Sequence, residues 1–312
     1  MLSVVAGVLI GAAILYLIFI GFVGIMCLRP PRIPVFLTPK SLGLPEETVR
    51  LSTSDGITIN AWLVKNPESK VSILLLHGFA MNRCEMVPLA NSLYRHGITM
   101  LIPDFRCHGN SGGKCSGIGF HEAPDVIACA RLLNEAEPDV PTVIIGGSMG
   151  AVAAAYALSQ EPDLADALVL DSAYSRMNNA IDGWWRTFGG ERMRVILWPV
   201  RFFAWPIAKV NPWKADVAQI LRRLPDKPVL FLHGDADLIA EPKEAERNFA
   251  HFEGRKKIVW FPNSRHSEAR LNDPAGYERA LIEFLQEHGI GEFGPEMFAD
   301  RVPASAEPAA SS

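Results

Sequence analysis

Hydrophobic and polar positions divide the chain into three regimes. From residue 1 to residue 28, "MLSVVAGVLIGAAILYLIFIGFVGIMCL" carries no charged side chain. A bilayer core takes about 20 apolar residues in a helix, so this run predicts one membrane-spanning helix. Residues 29–47 contain Pro30, Pro31, Pro34, Pro39 and Pro45. Prolines at that density prevent regular structure and predict a linker. From residue 48 to residue 290, short apolar runs alternate with amphipathic stretches.

The alternation predicts particular elements. Two β-rich runs flank Asp55-Gly56 and predict a hairpin. "VSILLLHG" (71–78) is a continuous apolar run, as a strand buried on both faces requires. Residues 85–96 suit a helix, and residues 98–104 a second buried strand. Val126, Ile127, Ala130 and Leu133 recur at helical spacing within residues 121–137. "TVIIG" then predicts a strand, "SMGAVAAAYALSQE" a helix and "ALVLD" a strand. After a long insert come strand "PVLFLHG", helix "PKEAERNFAHF", strand "KKIVWF" and helix "YERALIEFLQEHG". Such repetition implies an α/β fold, a mostly parallel sheet with helices on both faces and a ligand site at the strands' C-terminal ends. Residues 291–312, ending "ASAEPAASS", read as a disordered tail.

Charge and cysteine content narrow the picture. A net charge of -4 gives no reason to expect nucleic acid as a partner. The five cysteines (Cys27, Cys84, Cys107, Cys115, Cys129) form no C-x-x-C, and H-E-x-x-H is absent, which argues against a zinc site. Unpaired thiols suit a reducing compartment. No Lys or Arg precedes Arg29, so the basic n-region of a cleaved signal peptide is missing. Arg29, Arg32 and Lys40 follow the apolar run, and the positive-inside rule then places the large domain in the cytoplasm behind a single-pass anchor. Gly7 and Gly11 form a G-x-x-x-G, a pattern that lets two helices approach closely.

Two stretches fit G-x-S-x-G: "GNSGG" around Ser111 and "GGSMG" around Ser148. Ser148 falls between a buried strand and an Ala-rich helix, the setting in which a sharp turn presents a serine hydroxyl above a sheet edge. The backbone N–H of Met149 would then face a developing oxyanion. Ser111 precedes more Gly and Lys with no helix, and reads as part of a flexible loop. A serine hydroxyl needs a base and an orienting acid. "HGDADLIAEP" (233–242) offers Asp235 and Asp237, and His266 follows the last predicted strand. The chain order Ser, Asp, His is that of a triad built on an α/β-hydrolase sheet.

"HGFAMN" (77–82), "DFRCHGNSGG" (104–113), "GGSMG" (146–150), "HGDADLIAEP" and "SRHS" (264–267), in that order, resemble the α/β-hydrolase superfamily over residues 49–290. They look most like small serine hydrolases grouped with esterases and serine-aminopeptidase-like proteins, many of which carry an N-terminal membrane segment. The resemblance implies Ser148 as nucleophile, His266 as base and Asp237 as acid. It also implies the N–H groups of Phe79 and Met149 as the oxyanion hole and no cofactor or metal. Some relatives place the acid one strand earlier, which makes Asp171 the fallback. Cys107 stands where the family loop has glycine, which puts that loop's shape in question. The implied reaction is cleavage of a carboxylic ester or thioester, with amide cleavage, acyl transfer or non-catalytic binding as alternatives.

Residues 172–214 lie where this fold carries a cap. They hold five of the seven tryptophans, and seven basic residues against two acidic ones. Two readings stay open. The cap could touch the membrane, which predicts an apolar, lipid-like acyl substrate. Alternatively, its aromatics could simply pack it onto the domain, with its charges on a solvated face.

Overall fold

The computed structural model describes residues 1–224 and 226–293; most of the expected C-terminal tail lies outside the described residues. The chain runs α1 (Leu2–Leu28), β1 (Glu47–Ser52), β2 (Thr58–Val64), β3 (Val71–Leu76), α2 (Val87–Tyr94), β4 (Ile98–Pro103), α3 (Ala123–Ala136), β5 (Thr142–Gly147), α4 (Met149–Gln160) and β6 (Ala167–Asp171). It continues α5 (Met177–Ile196), α6 (Val200–Ala208), α7 (Val217–Leu221), β7 (Val229–Gly234), α8 (Pro242–His251), β8 (Lys256–Phe261), α9 (Ala269–Asn272) and α10 (Pro274–Glu287).

The strands form one eight-stranded sheet in the order β1-β2-β4-β3-β5-β6-β7-β8. β2 runs antiparallel to both of its neighbours, and the other pairs are parallel. Side chains alternate across the sheet, so one strand feeds two cores. Leu74 and Leu76 of β3 pack with α3 and α4 on one face, while Ile73 and Leu75 pack with α2 and α10 on the other. Burial on both sides is why these strands read as unbroken apolar runs. Helix α2 begins two residues later than expected, after a 3-10 turn at Arg83–Met86, with Pro88 in its first turn.

Two segments differ from their sequence readings. Residues 29–47 are not a loose linker. Apart from a 3-10 turn at Lys40–Leu42 and Glu47, the first residue of β1, they are irregular, yet they are strapped to the domain. Arg32 donates to the carbonyls of Gly109 (2.9 Å) and Ser111, and the Asn82 amide donates to Ile33 O at 2.8 Å. Val35 and Leu37 pack against Trp62. The loop holding Ser111 is likewise fixed rather than flexible. Ser111 Oγ donates to Asp104 O (2.7 Å) and accepts from Asn60 N (2.9 Å), with the serine buried.

The insert forms α5, broken at Gly190, and α6, tied together by a buried Arg201–Asp182 ion pair. It sits at the C-terminal edge of the sheet. Arg186 reaches Glu241 at 2.6 Å, and Asn179 donates to Glu244 at 2.8 Å.

Candidate active site

Ser148 stands at a sharp turn between β5 and α4, with φ 49° and ψ -109°. A non-glycine residue there is strained, and the flanking backbone must crowd in to hold it. A Cβ on Gly146 would lie 2.4 Å from Ala151 N, and one on Gly150 2.6 Å from Leu76 O. Both obstacles are backbone, so only glycine fits at either position. The Ser148 N–H donates to Asp171 O at 2.8 Å, which fixes the turn to the neighbouring strand.

His266 arrives from the loop after β8. Its Nε2 lies 2.8 Å from Ser148 Oγ, and its Nδ1 lies 2.7 Å from Asp237 Oδ2. A carboxylate only accepts, so Nδ1 carries the proton and the neutral ring offers Nε2 as an acceptor to the serine hydroxyl. Asp237 is buried in the loop after β7. Its other oxygen, Oδ1, accepts from Ile239 N (2.8 Å) and Ala240 N (2.9 Å). Those two bonds fix the carboxylate so that Oδ2 faces the imidazole. Asp235 points elsewhere, accepting from Asn263 N at 2.6 Å.

Phe79 follows Gly78, and a Cβ built on Gly78 would come 3.8 Å from the Ser148 Cβ. The Phe79 N–H therefore belongs to a loop that passes beside the serine. Met149 is the first residue of α4, where backbone N–H groups have no partner within the helix. Above Ser148 and His266 lies a cavity of about 630 Å³, lined mostly by aliphatic and aromatic side chains. Trp184, Trp185 and Phe188 come from the cap, Phe36 and Leu37 from the strap, and Cys27 and Leu28 from the end of α1. Among the described residues no cluster of three or more His, Cys, Asp or Glu side chains is placed to hold a metal ion.

Residues 67–214 match the family described as serine aminopeptidase, S33. The bem46 protein of Schizosaccharomyces pombe is 25% identical over 258 residues, which cover 81% of each chain. An uncharacterized membrane protein of Saccharomyces cerevisiae, YNL320W, is 26% identical over 261 residues, covering 81% of this chain and 84% of its own. The solved esterase Pf2001 of Pyrococcus furiosus shares the fold with a TM-score of 0.71 at 24% identity, over 84% of this chain and 98% of that one. The chain has the α/β-hydrolase fold.

In this fold, Asp171 does not reach His266. Its Oδ2 pairs with Arg270 Nη1 at 2.7 Å and accepts from the Tyr277 hydroxyl at 3.2 Å. The fallback acid is thus held by a buried cation. Ser111, in its buried bonds to Asp104 and Asn60, is a loop brace. Cys107 adopts φ 65°, the left-handed region that favours glycine, and its N–H still closes the loop onto Gly112 O at 2.7 Å.

The sequence reading missed the residues that hold the first loop of the hydrolase in place. His77 Nε2 accepts from Phe105 N (3.0 Å), so its Nδ1 carries a proton and donates to Gly78 O (2.7 Å). His108 does the same in mirror fashion, accepting from Ala80 N (3.3 Å) at Nε2 and donating to Arg106 O (2.8 Å). Two neutral imidazoles thus clamp residues 78–80 to the loop after β4. Burial pushes His77 down to about 4; burial, then the neighbouring His77, pushes His108 down to about 4. Glu85 accepts from Gly78 N at 2.7 Å and is in turn paired with Arg270. The "HG" pairs at 77–78 and 108–109 were visible signals, but their partners lie far off in sequence.

Proposed function

We propose that this chain is a serine hydrolase that cleaves a carboxylic ester or thioester of an apolar acyl group through an acyl-enzyme. The observation that carries this reading is the continuous relay from Asp237 through His266 to Ser148, opening into an apolar cavity. Ser148 Oγ attacks the acyl carbonyl while His266 Nε2 takes its proton. Asp237 keeps the imidazole in the tautomer that can accept, and stabilises the imidazolium that forms. The N–H groups of Phe79 and Met149 receive the oxyanion, each such donor being worth about 10²–10³ in rate. The alcohol or thiol leaves with the proton from His266, and water repeats the sequence to free the acid.

The same groups could cut an amide, as the family description of serine aminopeptidase suggests. The cavity favours an acyl chain instead. Its wall is built mostly from apolar side chains such as Trp184, Trp185, Phe188, Ile181 and Leu271; of its two acidic residues, Glu85 is paired with Arg270 and Glu268 accepts from the Arg265 N–H. We also propose that α1 anchors the enzyme in a membrane, with the catalytic domain on the cytoplasmic side. Within Ser3–Leu28 an 18-residue stretch has a mean hydropathy of 2.7, and few of its side chains are buried. Leu28 O accepts from Ser116 N at 2.8 Å, a contact that loss of the helix would break. A panel of acyl esters and aminoacyl amides tests the chemistry. Esters of medium or long chains should exceed the amides in kcat/KM by about 10²-fold or more. Faster amide turnover would reverse the assignment.

A further inference from the structure

The cap is bound to α1 as well as to the hydrolase domain. Ile20 is fully buried against Leu197 and Val200 of the insert. A Cβ on Gly24 would meet Phe203 Cβ at 3.5 Å and backbone atoms of Val200 and Ala204 at 3.6 Å, so α6 runs hard against α1 there. Farther along, the Tyr16 hydroxyl donates to Ile196 O at 2.6 Å. Tyr16 lies about 18 Å up the helix from Leu28, at 1.5 Å per residue. The cap therefore follows α1 for nearly half its length. What remains free, residues 2–15, is about 21 Å long. A hydrocarbon core is about 30 Å thick. For α1 to span, about 9 Å more, roughly residues 16–21 of the stretch that the cap follows, must lie within the bilayer too, and the part of the cap beside them goes with it.

The outer face of the cap suits that position. Trp198, Phe202, Trp205 and Trp213 are 41%, 48%, 40% and 42% exposed. They touch one another in a ladder, Trp198 to Phe202, Phe202 to Trp213 and Trp213 to Trp205, with ring centroids 5.2, 5.2 and 6.1 Å apart. Aromatics meant to fix the cap to the domain would be covered. These instead form an open apolar surface continuous with α1, of a kind that marks an interaction site. Arg192, Lys209 and Lys214, all exposed, supply charges for anionic headgroups. The Ser148 cavity abuts the same region, because Cys27 and Leu28 of α1 and Trp185 and Ala204 of the cap form part of its wall.

We propose that α5 and α6 are embedded in the leaflet on the domain side, and that the substrate is a membrane-resident long-chain acyl ester entering the cavity laterally from that leaflet. The substrate half of this proposal rests on the serine-hydrolase reading of Ser148; the seating of the cap does not. Seating is tested with the full chain in vesicles of phosphatidylcholine and phosphatidylglycerol whose acyl chains carry bromine, a short-range quencher of tryptophan. The wild type should be strongly quenched, and the quenchable emission should fall by about half or more in the W198F/W205F/W213F variant. An unchanged quenchable fraction would mean that the cap faces water and would overturn the proposal.

Lateral entry is tested in the same vesicles with a long-chain p-nitrophenyl ester, using p-nitrophenyl acetate as the soluble control. Turnover of the long-chain ester should follow its mole fraction in the bilayer, not its bulk concentration. The variant F202S/W205S should lose tenfold or more on the vesicle ester while keeping acetate turnover within twofold. An equal effect on both esters, or none on either, contradicts lateral entry. A wild type that cuts neither ester but shows quenched cap tryptophans would sink the hydrolase reading and leave the seating intact.

Discussion

Asp171 Oδ2 lies 2.7 Å from Arg270 Nη1, so the carboxylate one strand away from Asp237 is held by a buried guanidinium instead of by His266. The two carboxylates should therefore fail in different ways. Asp237→Asn should lower kcat by about 10⁴, because an amide no longer selects the accepting tautomer. Asp171→Asn should leave kcat within tenfold and cost about 3 kcal/mol of stability, as expected when one partner of a buried pair is stranded. Kinetics on a soluble ester beside urea melts separate the two effects, and the opposite pattern would move the acid to Asp171.

The turn at Ser148 makes a sharp distinction between neighbouring glycines. Gly146→Ala drives a methyl into the backbone of α4, where nothing can yield, and should cost about 3 kcal/mol or displace Ser148. Gly147→Ala first meets the terminal methyl of Met86 at 3.4 Å, the end of a flexible side chain. It should cost less than about 1 kcal/mol and leave activity in place. Comparable losses in the two variants would show that the close approach seen at Gly146 does not hold the turn.

The neutral clamp of His77 and His108 gives the fold an acid sensitivity. Both imidazoles sit at about 4 when folded, below the 6.5 they would have when exposed. Protons then bind the unfolded chain more readily. The stability these groups contribute is fully present above pH 6.5 and is lost as the pH falls toward 4. Each imidazole contributes a slope of up to about 1.4 kcal/mol per pH unit in that window. His108→Gln keeps an acceptor for Ala80 N but removes one titration. The stability difference between wild type and variant should shrink steadily from pH 7 to pH 4.5 in denaturant melts, and a difference independent of pH would contradict the clamp.

Much of this was readable from the chain. The parallel strands are buried on both faces, so each writes itself as an apolar run, and the sheet follows from their alternation with helices. The glycines around Ser148 are demanded by local backbone crowding and so have fixed spacing. What escaped was set by distant partners. Residues 29–47 looked like a linker because their anchors are carbonyls reached by Arg32 and an amide from Asn82, which no local pattern encodes. The loop around Ser111 looked flexible for the same reason, its braces being Asn60 and Asp104. The cap's composition left two destinations open for its tryptophans. The fold divides them, with Trp184 and Trp185 lining the cavity and Trp198, Trp205 and Trp213 exposed.

The most direct test is labelling with a fluorophosphonate probe of full-length wild type, Ser148→Ala and Ser111→Ala. Attack by Ser148 Oγ on phosphorus mimics attack on the acyl carbonyl and leaves a stable adduct. Wild type and Ser111→Ala should label to the same extent, and Ser148→Ala should not label at all. Labelling that survives in Ser148→Ala, or a folded wild type that takes up no probe, would contradict a nucleophile at Ser148.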